Sequence, residues 1–440
     1  MAGIKRKKSS ERAQLPRGRS FSGASAANGA GAAADRRFGA SAANGAGAAA
    51  DRRFGALTPP EGVRRKGARG GARSGSIGRI DIPFLILVLV LTAFGLIMVA
   101  SASYVYGYYE EGDSYFYIKK QLLFAVAGIA VMFGVAFFDY HRLRKYAFPL
   151  LCVSVVLLIL VLIPGIGKAV GDARRWLDFG VRFQPSEIGK FAIVISFASY
   201  ISANYKNMNK FKVGVLPLLI MLGTVVFLVA IETHLSGAIV IMAVGAIMMF
   251  VGGVQLRYFA MALGAAGAGF TVLILFTDYM TGRIKIWLDP FSDTGDAGYQ
   301  IVQSLYAIGS GGLMGLGLGQ SRQKHLYLPE SQNDYIFSIV AEELGFVGAL
   351  LLILLFVMLI WRGFYIALNA RDKFGSLIVV GIIGRVAVQT ILNIAVVTNA
   401  LPSTGITLPF FSYGGTSLML LLFEMGVVLS VSRFSYIDKS

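Results

Sequence analysis

TGRIKIWLDPFSDTGDAGYQIVQSLYAIGSGGLMGLGLGQSRQKHLYLPESQNDYIFSIVAEE, residues 281–343, is a long polar break between two hydrophobic runs. It places Asp289, Asp293 and Asp296 close together, then a glycine-rich run, a basic cluster and a Leu-Pro-Glu turn. A loop this long and varied is functional or disordered. The tryptophan and tyrosines spaced through it argue for order. Ile301, Val302, Leu305 and Ile308 fall at i, i+1, i+4 and i+7, one face of a short helix over 298–309. That helix cannot span a bilayer and is expected to lie in the interface.

Outward from this stretch the chain reads as membrane. Charged residues are only 15% of 440, and mean hydropathy is +0.66; soluble domains average about 25% charged. A hydrocarbon core of about 30 Å needs roughly 20 helical residues. Runs of that kind lie near 82–101, 119–137, 147–164, 187–203, 214–231, 236–253, 259–279, 337–360, 377–400 and 414–431. The expectation is an all-α polytopic membrane protein of about ten spans, since backbone in lipid must satisfy itself. With the N-terminus inside, the connectors and tail on that side hold 12 Lys/Arg against 3 acids, and the opposite connectors hold 8 against 11. The basic excess puts both termini in the cytoplasm. The large loop at 281–336, between the seventh and eighth spans, is then outside, on the same face as 165–186.

The net charge of +17 is concentrated in residues 1–80, which carry +13. This tail is rich in Ala, Gly, Ser and Arg and cannot bury a core. It contains GASAANGAGAAADRRF twice, at 23–38 and 39–54. Ahead of a span, a basic disordered tail suits an anionic leaflet or simply enforces orientation; nucleic acid is not the expected partner. The single cysteine, Cys152, rules out a disulfide framework within one chain.

Several residues could carry chemistry. Each loop aspartate is either a turn and cap residue or a base or metal ligand at a membrane surface. Asp289 precedes Pro290 and reads as a turn; Asp296 is placed to cap the 298–309 helix; Asp293 has the weakest structural excuse. Arg174, Arg175 and Arg182 run against the positive-inside trend. They bind phosphate, as a guanidinium fork does, or they snorkel beside Trp176. Ionisable groups in or at the ends of spans are Glu187, Lys190, Glu232, Glu342, Glu343, Arg385 and Glu424; such groups line polar cavities or pair with one another. GSGGLMGLGLGQ (309–320) matches no nucleotide loop. It reads as a flexible loop or as close backbone packing.

R-W-L-D-F-G-V-R-F-Q-P-S-E (175–187), W-L-D-P-F-S-D-T-G-D-A-G-Y-Q (287–300), Q-S-R-Q-K-H-L-Y-L-P-E-S-Q-N-D-Y-I-F (320–337), A-E-E-L-G (341–345) and P-S-T-G-I-T-L-P-F-F-S-Y-G-G-T-S (402–417) occur in that order. Together they resemble the SEDS family of FtsW, RodA and SpoVE over residues 82–436, with wording closest to the FtsW/SpoVE branch. The tail at 1–80 lies outside the resemblance, which implies a membrane domain at 81–436 and, within it, a catalytic outer loop at 281–336. It implies a peptidoglycan glycosyltransferase of the bacterial plasma membrane. Such an enzyme polymerises lipid II into β-1,4 glycan on the extracytoplasmic face and releases undecaprenyl pyrophosphate. It serves cell division, cell shape or cell-wall synthesis beside a class B penicillin-binding protein and other divisome or elongation proteins. The catalytic aspartate falls on Asp293, where Thr294 follows instead of the proline common in RodA-like members and SpoVE. Substrate contacts fall on Arg175, Arg182, Glu187, Lys190, Glu330 and Ser412. No cofactor is required by the motifs; a divalent cation, Mg or Mn, has room with Asp293 as a ligand. The rival classes are a lipid II flippase and a non-enzymatic division scaffold.

Overall fold

The computed structural model describes residues 78–170, 173–178, 180, 182–262, 264, 285–292, 295 and 298–436. Among them, helices occupy nine of the ten apolar runs. These are α1 (Ile82–Glu111), α2 (Phe116–Phe137), α3 (Leu143–Leu162), α4 (Pro185–Asn204), α5 (Leu216–Ile231), α6 (Leu235–Val251), α8 (Ile336–Leu368), α9 (Lys373–Val397) and α10 (Gly415–Arg433), with α7 (Tyr299–Ser310) in the large loop. Most of the run at 259–279, the tail through residue 77, Asp293 and Asp296 lie outside the described residues.

Seven of these helices are long and apolar enough to cross a membrane; α6 is shorter, and α4 is not among the seven. The reason α4 is less apolar is its position. It packs on α3, α6, α9 and α10 and buries residues on all sides, including Gly189, Lys190, Phe191 to Ala198 and Ile201. A helix screened from lipid by its neighbours can carry polar groups. The most apolar stretches of α9 and α10 are likewise 72% and 67% buried, against 28% for α2 and α5. The bundle therefore has inner helices α4, α9 and α10, and outer helices that present residues such as Leu123, Phe148 and Phe227 outward.

Local chemistry fixes the helix ends. Asp81 caps α1 by accepting from the Phe84 N–H at 3.0 Å, and Pro83 sits in the first turn. The same carboxylate binds Arg362 of α8 through Nε at 3.0 Å and Nη2 at 2.8 Å. Asp372 caps α9 through the Phe374 and Gly375 N–H groups. These contacts tie together the end of the bundle that carries the basic connectors.

At the other end, where the sequence predicts only a connector, three short strands pair into an antiparallel sheet. Its strands are β1 (Gly167–Val170), β2 (Ala173–Asp178) and β3 (Arg182–Phe183). Lys168 pairs with Trp176 and Ala169 with Arg174, so Arg175 is the extra residue of a bulge. Lys168 bridges to Asp178 at 2.6 Å, and Asp178 stands opposite Arg182.

The glycine-rich run is packed backbone to backbone. α8 is broken at Gly345 (φ 68, ψ −169). The bonds a continuous helix would make across the break are exchanged with the loop. Leu316 and Gly317 donate to the Glu342 and Glu343 carbonyls, while Phe346 and Val347 donate to those of Gly312 and Leu313. A Cβ on Gly315 would sit 2.2 Å from the Glu343 carbonyl oxygen. Glu342 and Glu343, both fully buried, hold the same loop. Glu342 accepts from Ser321 Oγ (2.5 Å) and the Arg322 N–H (3.0 Å). Glu343 accepts from Ser101 Oγ (2.6 Å) and Lys324 Nζ (3.1 Å).

α7 matches the expected helix, but its apolar face is not left for the interface. Ile301, Val302 and Ala307 are buried, and the helix packs on α8 and α9. Ser304 joins it to Ser338 Oγ at 2.7 Å and donates to the Val397 carbonyl at 2.8 Å.

Candidate functional site

The sheet and the loops around residues 232–234, 330–334 and 403–416 meet at one rim of the bundle. The bulge turns Arg175 out of the strand register, as bulges near sites do. Its Nη2 donates to the Thr233 carbonyl at 2.6 Å. Arg182, on β3, has its carbonyl bound by Thr416 Oγ1 at 3.3 Å, and its own side chain is exposed. The two arginines are thus carried on one small sheet, which seats on the α5–α6 turn at one side and on the start of α10 at the other.

Beneath the rim lies a buried polar column. Lys190 Nζ donates to Glu187 Oε1 at 2.5 Å, Arg385 Nη1 reaches Glu187 Oε2 at 3.4 Å, and Arg385 Nη2 pairs with Glu424. Two cations face two carboxylates, so the column is neutral. The pairing expected for Arg385 is present, and it joins α4, α9 and α10. Pairing is also the condition for keeping charge away from water.

The remaining expected site residues divide into two groups. Ser412 is buried and spends its hydroxyl twice: it donates to the Asn333 carbonyl at 2.6 Å and accepts from the Leu408 N–H at 2.7 Å. Glu330 is exposed, with φ +53, and its carboxylate accepts from Asn333 Nδ2. Asp289 makes the expected turn, its carbonyl accepting from Ser292 Oγ at 2.6 Å. Asp293, expected to carry the chemistry, lies outside the described residues, as does Asp296.

Three titratable groups stand at the rim: Glu232, one of the ionisable groups at the span ends, and Asp334 and His234, which the sequence does not single out. Asp334 is half-buried, its carbonyl held by Asn393 Nδ2 at 2.8 Å. Burial pushes its carboxyl up to about 6; Glu330 adds to the rise and Arg175 opposes it. Glu232 is buried at the end of α5, and burial pushes it up to about 8 against the pull of Arg175. His234 sits between Gln184 Nε2 (3.1 Å) and Ser186 Oγ (3.3 Å). Burial, with the charges of Lys190 and Arg175, pushes it down to about 3 against Glu187, so it is neutral near pH 7. Arg175 therefore acts on all three. The signal for Asp334 in the sequence is weak: an isolated acid in a long outer loop looks like any solvated acid.

Two grooves of about 370 and 280 Å³ lie elsewhere, lined by residues such as Phe138, Leu143 and Val427 in one and Arg144, Phe148 and Tyr200 in the other. No expected site residue lines either.

With this geometry in hand, the chain can be set beside known proteins. Residues 82–437 match the family model of the FtsW, RodA and SpoVE cell cycle proteins. The stage V sporulation protein E of Bacillus subtilis is 45% identical over 357 residues, covering 81% of this chain and 97% of that protein. The probable peptidoglycan glycosyltransferase FtsW of Geobacter sulfurreducens is 38% identical, covering 82% and 97%. Among solved structures, a chain of a peptidoglycan synthase complex, solved for its coordination of polymerization and crosslinking, is similar with a TM-score of 0.69 at 28% identity. That likeness covers 82% of this chain and 99% of the other. The rod shape determining protein RodA of Thermus thermophilus gives 0.60 at 27%, covering 82% and 98%.

Proposed function

The chain belongs to the FtsW/RodA/SpoVE family of cell cycle proteins, and from that premise we propose that it is a multi-pass membrane peptidoglycan glycosyltransferase acting in cell division. Its substrate is lipid II. The 4-hydroxyl of the acceptor's N-acetylglucosamine attacks the anomeric carbon of the donor's N-acetylmuramic acid. The O4–C1 bond forms with inversion, the bond from C1 to undecaprenyl pyrophosphate breaks, and Asp293 takes the hydroxyl proton. Arg175 and Arg182 take up the charge that grows on the departing diphosphate.

The observation that carries the reading is the placement of both arginines on one sheet at the rim that also holds Glu330, Asp334 and Ser412. A guanidinium fork matches phosphate oxygens two at a time. Glu330, exposed there, is a sugar contact. Glu187, Lys190 and Ser412 spend their polar atoms within the protein and form the floor under the substrate. The excess of Lys/Arg in the opposite connectors supports an extracytoplasmic rim. A crosslinking partner of the class B penicillin-binding type is supported by the likeness to the synthase-complex chain. Among the described residues no three His, Cys, Asp or Glu side chains come together as a metal site. No step here is routed through a divalent cation.

The test is polymerisation of lipid II by the purified full-length protein with its partner. Asp293→Asn should lower the rate by about 10²–10⁴-fold, and Arg175→Ala and Arg182→Ala should raise KM for the donor. A wild-type rate in well-folded Asp293→Asn removes the proposed base. Movement of labelled lipid II across vesicles with no glycan extension would replace the reading with a lipid transporter.

A further inference from the structure

The turn between α5 and α6 is built in a costly way. Thr233, a β-branched residue, has φ +56, a region such residues avoid. Its carbonyl is the acceptor for Arg175. The preceding residue, Glu232, is 2% exposed, and both its carboxyl oxygens are buried without a hydrogen-bond partner. An orphaned buried polar group is destabilising. Nothing in the turn requires a carboxyl: the backbone bonds that close it run from the N–H groups of 232, 233 and 234 to the carbonyls of Leu228, Ala230 and Val229. Strain and unmet polarity held together at a rim are marks of function rather than of folding.

We propose that Glu232 is a positioning residue for Arg175: the Thr233 carbonyl holds the guanidinium at the rim, the preceding residue in the same turn carries an unpartnered carboxyl, and capture by that carboxylate would turn the guanidinium away from the donor's diphosphate. This rests on the reading of Arg175 as a diphosphate ligand. The charged and titratable groups of the neighbouring elements are Arg175 on β2, Glu187 and Lys190 on α4, His234 heading α6, and Asp334 and Glu330 before α8. Of these only Arg175 acts on the titration of Glu232, whose carboxyl is pushed up to about 8 by burial. Below that pH the acid is neutral and Arg175 stays on Thr233. Above it the carboxylate captures the guanidinium, and donor binding weakens.

The experiment measures KM for lipid II against pH, from 6.5 to 9, with the full-length protein and its partner. For the wild type, KM should rise about 10-fold by pH 9, the inverse of the neutral fraction left one unit above the midpoint. Glu232→Gln should remove this rise while kcat follows the wild-type pH trend. Glu232→Met, similar in length and apolar, does the same and covers the case in which the amide misfolds the turn. A rise in KM with pH in either folded variant that superimposes on the wild type overturns the proposal. Arg175→Ala separates the two levels. If it leaves KM unchanged at pH 6.5, the diphosphate reading of Arg175 fails. If it raises KM while the Glu232 variants track the wild type, only the positioning role fails.

Discussion

Arg385→Ala removes the cation that Glu187 and Glu424 share. Arg385 and Glu424 are 3% and 1% exposed, so water cannot take over the vacated contacts. The column is neutral with Lys190 and Arg385 against Glu187 and Glu424; without Arg385 it carries one uncompensated negative charge. Lys190 still holds Glu187 at 2.5 Å, so the loss falls on Glu424, whose Oε1 already has no hydrogen-bond partner. Stranding one member of a buried pair costs about 3–5 kcal/mol. Replacing both Arg385 and Glu424 by methionine restores neutrality and fills the space with apolar side chains, so it should recover most of that loss. In the cycle built from Arg385→Met, Glu424→Met and the double variant, the coupling should be at the upper end of the roughly 0.5–3 kcal/mol found for coupled sites. The assay is thermal denaturation in detergent, followed by loss of the monodisperse size-exclusion peak. A double variant no more stable than Arg385→Ala alone would refute the ion-pair argument.

Three further outcomes follow from the same structure. Ser412→Ala leaves the Leu408 N–H and the Asn333 carbonyl without their partner; it should cost about 1–3 kcal/mol in the same assay, and Ser412→Thr should cost less. Gly315→Ala forces a side chain onto φ +80, with its Cβ against the Glu343 carbonyl, and should sharply reduce the yield of monodisperse protein, whereas Gly309→Ala, which meets open space, should not. Asp334 has its carboxyl raised to about 6 in the folded protein, so the folded state favours the neutral acid and stability falls as pH climbs from about 4 through 6. Asp334→Asn should match the wild type near pH 4 and exceed it at pH 8 by at most about 3 kcal/mol, at 1.36 kcal/mol per unit; equal denaturation midpoints at pH 8 would contradict the shift.

The helices were legible because lipid leaves the backbone little choice and a span needs a long apolar run. Even α4 could be found, although its Lys190 and Glu187 belong to an interior that lipid does not reach. The small sheet was not legible: strands of two to six residues are too short for a two-residue period to show, and their pairing depends on a bulge at Arg175. The pattern Ile301, Val302, Leu305, Ile308 announced a helix face but could not say whether lipid or protein would cover it. The arginines could be singled out because they break a charge trend, and Arg385 because it stands inside a span. His234 and Asp334 could not, since their surroundings come from elements far apart in the chain, and Glu232 stood out only as one acid among several at span ends.

The break at Gly345 has a bearing on how such chains can be recombined. Before the break α8 gives the Glu342 and Glu343 carbonyls to the glycine run, and beyond it Phe346 and Val347 take two bonds back, so the loop is stitched into the helix on both sides of the break. A chimera that exchanges only the loop, or only the helix, cuts these stitches. The unit that can be transplanted between relatives runs from α7 past Val347, and a graft bounded there keeps these four backbone bonds within one parent.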